Sequence, residues 1–325
     1  MTLQTTSEFC TRVLERYAAD GGLSAVFAPG GTRTTYILAK NRYASDPGKI
    51  GNFDEHSEYL QNLYQDLIKA YFDLGGQYLV ITGFSFRGFS NRGAEYSRII
   101  TAEMFKLTND GFAQFYRENN LIPSFVGIDT LLGDPELRDL GEALDTFQKN
   151  WPVKQGQRRV VWEIASMPLF SLWNIYRGMS AEDHAKLQSD LDAQSNLDDQ
   201  HRFLYNFFAR RIYGFDIPMP HFYLGTNRSG DLKWRSPMPI GLTGGDGTRS
   251  AIRMFYTPYP TLMTRPETLQ AIVEDVAFGK RFYAPKTDYS GQYTPELAAK
   301  EYERFMQLTV DPGTTLGLSR DVEED

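Results

Sequence analysis

Short apolar runs alternate with amphipathic helical patterns along most of this chain. Between two of these runs, residues 54–74 place Leu60, Leu63, Leu67 and Tyr71 at spacings of three and four, which is one face of a helix. The runs that we predict as strands are residues 25–27, 78–81, 124–128, 159–162, 221–224 and 251–256. Because strand–helix–strand order requires parallel pairing through crossover connections, the sequence predicts an α/β fold with a central, mostly parallel sheet flanked by helices.

No repeat, linker or low-complexity segment divides the chain. We therefore predict that residues 1–325 form one domain, with a helical excursion around residues 165–213. The helices predicted from periodicity and capping signals are residues 54–74, 94–118, 201–212, 264–278 and 294–308.

Composition narrows the class of protein. Hydrophobic residues make up 41% of the chain and aromatic residues 14%, which is enough for a large core. The net charge of −7 disfavours general nucleic-acid binding, and the single cysteine excludes an intramolecular disulfide framework. Without a signal-peptide pattern or a run of eighteen apolar residues, we expect a cytoplasmic protein with no stable membrane insertion.

Two glycines and an arginine directly follow the first predicted strand, in the order Gly30, Gly31, Thr32, Arg33. Glycines let a ligand approach the backbone closely, and amides together with a guanidinium suit a diphosphate at the carboxyl end of a strand. We call residues 30–33 the first anion loop. The alternative is an ordinary turn with a surface arginine.

A second polar segment, residues 226–236, follows the fifth predicted strand. It contains Arg228, Ser229, Arg235 and Ser236, whose guanidinium and hydroxyl groups can bind a diphosphate together. We call it the second anion loop. The alternative is a polar hairpin.

The order of these two loops around strands and a long helix resembles the cis-prenyltransferase family. More closely, the chain is similar to a divergent branch of diterpene synthases that includes tuberculosinol synthase and kolavelool synthase. The matching segments are residues 27–33 with Asn41, 80–81, 91–93 with Tyr96, and 282–290. The resemblance implies the cis-prenyltransferase fold, a homodimer, and Gly31, Thr32, Arg33, Arg228, Ser229, Arg235 and Ser236 as the residues that bind substrate diphosphate.

The same resemblance implies an activity. Enzymes of this branch remove diphosphate from a bicyclic C20 allylic diphosphate, such as kolavenyl or halimadienyl diphosphate, and add water to the cation. The product is a diterpene alcohol, and a class II diterpene cyclase supplies the substrate. Tyr96 matches an active-site tyrosine of the branch, and His56 falls where another stands, so these two are the implied catalytic residues.

The chain departs from the family at the residues expected near a metal. Gly30 stands where the family has an aspartate, and Arg87-Gly88 replaces a pair of aspartates. The resemblance implies Mg²⁺ as a cofactor, but these two changes exchange acids for a base, and we assign no metal ligand. We therefore expect a weakened Mg²⁺ requirement.

Two other functions fit the same resemblance. The first is a chain-elongating cis-prenyltransferase, which Gly30 disfavours because such enzymes rely on the aspartate there. The second is a non-catalytic partner subunit, which the retained Arg33, Arg228 and Arg235 disfavour, since a scaffold has no need to bind diphosphate.

Overall fold

A computed structural model of the chain describes residues 3–41, 43, 50, 52–84, 86, 94–154, 156–226, 252–279 and 294–310. The strands are β1 (Leu23–Ala28), β2 (Gly76–Phe84), β3 (Leu121–Val126), β4 (Arg158–Ile164), β5 (Phe222–Thr226) and β6 (Arg253–Thr257). The α-helices are α1 (Leu3–Tyr17), α2 (Thr32–Tyr36), α3 (Phe53–Asp73), α4 (Ala94–Phe105), α5 (Asp110–Glu118), α6 (Ile128–Gly133), α7 (Arg138–Asn150), α8 (Pro168–Gly178), α9 (Ala181–Asp192), α10 (Leu197–Tyr213), α11 (Pro266–Phe278) and α12 (Pro295–Val310).

The strands form one sheet in the order β3–β4–β2–β1–β5–β6, and every pair of neighbours is parallel. This confirms the predicted α/β class. In the register, Val26 of β1 lies opposite Val80 of β2 on one side and Tyr223 of β5 on the other. The chain thus leaves β1 towards β2 and returns much later to the opposite side of β1, so the strand order reverses between β1 and β5.

Alternate residues of the strands supply two hydrophobic layers. On one face, Phe27 and Trp162 belong to a core shared with Tyr71 of α3. On the other face, Val26 lies in a smaller core that includes Tyr213 of α10. Strands buried on both faces are typical of a parallel sheet that helices cover on each side.

One helical segment differs from the sequence prediction. The helix predicted over residues 94–118 is two helices, α4 and α5, with a 3₁₀ turn at Lys106–Thr108 between them. The break has a local cause, because Asn109 caps α5 by accepting a hydrogen bond from the Phe112 amide at 2.8 Å. Helices α8, α9 and α10 lie between β4 and β5, and none of the described helices combines the length and apolar character that a bilayer crossing requires.

Candidate functional site

The first anion loop begins at the point where the strand order reverses. Ala28 ends β1, and Thr226 ends the neighbouring parallel strand β5, so the carboxyl ends of both strands lie side by side at one edge of the sheet. Open parallel sheets bind ligands at this kind of crevice, where two connections diverge to opposite sides. The topology therefore places the starts of the two anion loops next to each other.

Hydroxyl groups join the segments around this crevice. The Gly30 amide donates to Thr226 Oγ1 at 3.3 Å, and the Thr261 amide donates to the same oxygen at 3.0 Å. The Thr226 and Thr261 hydroxyl oxygens are 2.6 Å apart, and Thr226 also reaches the Gly30 carbonyl at 3.3 Å. Thr226 thus connects the turn after β1, the end of β5 and the turn after β6. Periodicity could not reveal this network, because a threonine at a strand end carries no distinctive pattern.

Gly31 has the backbone conformation that turns the chain into α2. Its φ is +72°, a left-handed value that side chains other than glycine rarely adopt, and an added Cβ would lie 3.3 Å from Pro260 Cγ. The Gly31 carbonyl then accepts hydrogen bonds from the amide and hydroxyl of Thr35, at 2.8 and 3.0 Å. Arg33 lies on this short helix with its side chain exposed. The turn therefore holds Arg33 close to the crevice.

The space beside Gly30 does not fit a metal-binding carboxylate. A Cβ at Gly30 would lie 3.1 Å from Thr226 Cβ, which is closer than an ordinary van der Waals contact, and Thr226 is branched and cannot bend away easily. Within the described residues, no group of three or more His, Cys, Asp or Glu side chains could hold a metal ion. We therefore derive no step of the reaction through Mg²⁺.

His56 lies in the first turn of α3 and is 8% exposed. Its ring packs edge-on against Tyr36 of α2, with the ring centroids 5.0 Å apart, and approaches Phe53 at 6.5 Å. Neither ring nitrogen has a hydrogen-bond partner among the described residues. Burial, and then the positive charges of Lys106 and Arg33, lower the pKa of His56 below its usual 6.5. The imidazole is therefore neutral at pH 7 and able to accept a proton.

A second polar group lies beside His56. The hydroxyl of Ser57, which is buried, donates a short hydrogen bond to Glu103 Oε2 on α4, and Lys106 Nζ is 3.9 Å from Glu103 Oε1. Burial raises the pKa of the Glu103 carboxyl. Sequence reasoning did not find this pair, because Ser57 and Glu103 lie on different helices and are 46 residues apart. Lys106 links the pair electrostatically to His56.

The side chains of several predicted site residues lie outside the described part of the structure. Tyr96 is in the first turn of α4, but its side chain is outside the described part of the structure. The residues of the second anion loop beyond Thr226, namely Arg228, Ser229, Arg235 and Ser236, are also outside the described residues, and so is Arg87. Their roles remain predictions.

One buried acid at the same edge of the sheet belongs to neither predicted loop. Glu163, near the end of β4, is 4% exposed, and Tyr213 donates a hydrogen bond to its Oε1 at 3.4 Å. Burial raises the pKa of Glu163 well above its usual value of 4.5, and the hydrogen bond from Tyr213 opposes this only in part. In the folded protein this carboxyl is therefore protonated over a wider pH range than in the unfolded chain.

We predict that Glu163→Gln increases stability, and more so at pH 8 than at pH 5. Above its unfolded pKa, the unfolded chain releases the Glu163 proton while the folded protein keeps it, so the free energy of unfolding falls as pH rises towards the folded pKa. Glutamine has no proton to lose. Urea unfolding at both pH values measures the difference. The exposed Glu142→Gln is the control, and an equal change of stability with pH in wild type and Glu163→Gln would contradict the prediction.

Among solved structures, the chain is similar to lavandulyl diphosphate synthase from Lavandula x intermedia, in a crystal structure in complex with dimethylallyl diphosphate. The alignment covers 83% of this chain and 100% of that one, with 13% sequence identity and a TM-score of 0.53. The chain has the cis-prenyltransferase fold. A probable undecaprenyl diphosphate synthase from Campylobacter jejuni aligns with 80% of this chain and 96% of its own, at 11% identity and a TM-score of 0.45.

No protein-family model matches the sequence, and no curated protein matches it either. At 13% identity, the likeness establishes the cis-prenyltransferase fold and leaves the activity to be argued from the residues of this chain.

Proposed function

We propose that this chain is a diterpene synthase. It removes diphosphate from a bicyclic C20 allylic diphosphate, such as kolavenyl or halimadienyl diphosphate, and adds water to the resulting cation to give a diterpene alcohol. It acts after a class II diterpene cyclase and works as a homodimer in the cytoplasm. Gly31, Thr32, Arg33, Arg228, Ser229, Arg235 and Ser236 bind the diphosphate, and His56 and Tyr96 act on the water.

The observation that carries this proposal is the position of the two anion loops. Both begin where the strand order of a cis-prenyltransferase fold reverses, between β1 and β5. At this point the Gly30 amide donates a hydrogen bond to the Thr226 hydroxyl. The structurally similar lavandulyl diphosphate synthase was crystallised with a prenyl diphosphate. An acidic chain that binds such an anion needs concentrated positive charge at one place, and the arginines of the two loops supply it.

The first chemical step is cleavage of the allylic C–O bond. Both electrons of that bond leave with the diphosphate, and the carbon becomes a delocalised cation. Negative charge grows on the bridging oxygen as the bond breaks, and Arg33 stabilises it together with the arginines of the second loop. The positive charge of Arg33 also reaches His56, because it lowers the pKa of that histidine. The leaving group and the base therefore share one electrostatic environment.

The second step is addition of water. The water oxygen forms a bond to the cation, and one of its protons passes to a ring nitrogen of His56, which is neutral and lacks another partner among the described residues. Tyr36 and Phe53 form part of an aromatic wall around this base. Such a wall limits the number of waters that can reach the cation.

A second candidate function is condensation of two isoprenoid diphosphates. The likeness to lavandulyl diphosphate synthase favours it, because a diphosphate synthase forms a product that keeps a diphosphate group. The two functions give products of different mass, which mass spectrometry can distinguish. Diphosphate removal gives an alcohol and free diphosphate. Condensation also releases one diphosphate, and a proton from the second substrate, but its product is larger and keeps the second substrate's diphosphate group.

The test is a substrate panel. We expect the purified protein to convert kolavenyl or halimadienyl diphosphate to a C20 alcohol, identified by mass spectrometry, and to act poorly on geranylgeranyl diphosphate. Activity should remain measurable in EDTA, because Gly30 offers no carboxylate, and Gly30→Asp should bring little gain because of the contact with Thr226.

Three results would contradict the proposal. A longer prenyl diphosphate made from dimethylallyl and isopentenyl diphosphates would favour the second candidate. Absence of turnover with every substrate would favour a non-catalytic subunit. Complete loss of activity in EDTA, restored stoichiometrically by Mg²⁺, would show that a metal is essential and would contradict the weakened Mg²⁺ requirement.

A further inference from the structure

We propose that Thr226 is a positioning residue of the candidate diphosphate site. Its hydroxyl fixes the Gly30 end of the first anion loop to the strand from which the second anion loop begins. The identity of the ligand rests on the function proposed above, whereas the positioning itself rests on the hydrogen bonds of the described residues.

The hydroxyl of Thr226 is fully used within the protein. Two backbone amides, those of Gly30 and Thr261, donate to its oxygen at 3.3 and 3.0 Å. A hydroxyl oxygen has two lone pairs, so these amides occupy both. The Thr226 hydrogen is directed to the Gly30 carbonyl at 3.3 Å or the Thr261 hydroxyl at 2.6 Å. Thr226 therefore has no capacity to bind a ligand itself, and its effect on a ligand must be indirect.

The position of Thr226 makes this indirect effect specific. Thr226 is the last residue of β5 and the first of the second anion loop, and Gly30 is the first residue of the other loop. Because the amide of Gly30 donates to Thr226, that amide is not available to a ligand. The hydrogen bonds fix the position of Gly30 relative to the end of β5, and an anion that binds at the first anion loop requires that position to be constant.

The close packing of Gly30 on Thr226 supports the same conclusion. A Cβ at position 30 would lie 3.1 Å from Cβ and 3.4 Å from Oγ1 of Thr226. The two residues thus pack directly as well as sharing hydrogen bonds. In this chain the threonine side chain occupies the space that a larger residue at position 30 would need.

The chain contains a matched control for a purely structural role. Thr257 ends β6, is 5% exposed, and donates to the Tyr259 carbonyl at 2.7 Å and the Gly225 carbonyl at 3.4 Å. It is therefore another strand-end hydroxyl in the same region, more buried than the half-buried Thr226, but none of its described hydrogen bonds reaches the first anion loop. Thr226→Val and Thr257→Val each remove one hydroxyl and keep nearly the same shape.

The experiment combines two measurements on wild type, Thr226→Val, Thr226→Ser and Thr257→Val. Amide hydrogen exchange of the peptide covering residues 29–36 reports on the loop without any ligand, and calorimetric titration with inorganic pyrophosphate reports on anion binding. We expect exchange at residues 29–36 to be at least about tenfold faster in Thr226→Val, and its pyrophosphate affinity to be about tenfold weaker, because the amides of Gly30 and Thr261 lose their partly buried acceptor. Thr226→Ser should restore both values to within about twofold of wild type.

The outcomes separate the two proposals. Unchanged exchange at residues 29–36 in Thr226→Val, or an equal change in Thr257→Val, would overturn the positioning role. Faster exchange in Thr226→Val, in a protein whose wild type does not bind pyrophosphate, would support the positioning role and overturn the proposed diphosphate site. If wild type binds pyrophosphate and Thr226→Val binds it with the same affinity, the claim that Thr226 positions the first anion loop for anion binding would be overturned.

Discussion

Replacing Arg33 with alanine is expected to lower turnover of the allylic diphosphate by about a hundredfold. This corresponds to about 2.7 kcal/mol of lost transition-state stabilisation, the scale observed when one preorganised donor to a developing negative charge is removed. The side chain is exposed at the mouth of the crevice, on a helix that Gly31 and Thr35 hold in place. Steady-state kinetics with kolavenyl and halimadienyl diphosphates measures the effect.

Two further variants make this measurement specific. Arg33→Lys keeps the charge and loses the planar pair of donors, so we expect an intermediate activity. Arg138→Ala, at the exposed start of α7, removes an arginine far along the sheet and should leave turnover within about twofold of wild type. Near-normal turnover in Arg33→Ala, with the melting temperature unchanged, would mean that the first loop does not bind the leaving group.

The sheet was the most predictable part of the fold. β1 and β3 are buried along their whole length and are mainly apolar, although they include Ser24, Pro123 and Ser124. The strand predicted over residues 124–128 starts earlier and ends at Val126, because Gly127 has a φ of +96° and Ile128 begins α6. Helix α1 was harder to recognise, because its buried face consists of Phe9, Val13 and Tyr17 among mainly polar residues. Strand order could not be read from the sequence, since crossover connections of similar length can return to either side of β1.

The candidate site was predictable only where a single segment carries the chemistry. The first anion loop combines glycines and an arginine in four consecutive residues, which local reasoning can recognise. The contact between Thr226 and Gly30 joins positions 196 residues apart, and only the tertiary structure brings them together. His56 was reached through a resemblance, and its burial without a hydrogen-bond partner among the described residues became visible only in the structure.

Replacing His56 with phenylalanine should lower formation of the alcohol by about a hundredfold, the lower end of the contribution that a positioned general base makes. The variant is unusually suited to separating chemistry from folding. The two ring nitrogens are buried and make no hydrogen bond with the described residues, so phenylalanine removes two unsatisfied polar atoms from an aromatic environment formed by Tyr36 and Phe53. We therefore expect an unchanged or higher melting temperature together with the loss of activity.

The pH dependence of alcohol formation by the wild-type protein tests the role of His56 independently. A base works in its unprotonated form, and the pKa of His56 is lowered from its usual 6.5, so the acid side of the rate profile should have its midpoint below 6.5. This decrease in rate at acid pH should be absent from the residual activity of His56→Phe. It should persist in His201→Phe, which is a control on α10. A midpoint above 6.5, or full alcohol formation by His56→Phe, would show that another group accepts the proton. The departing diphosphate, which remains beside the cation, would then be the acceptor to test.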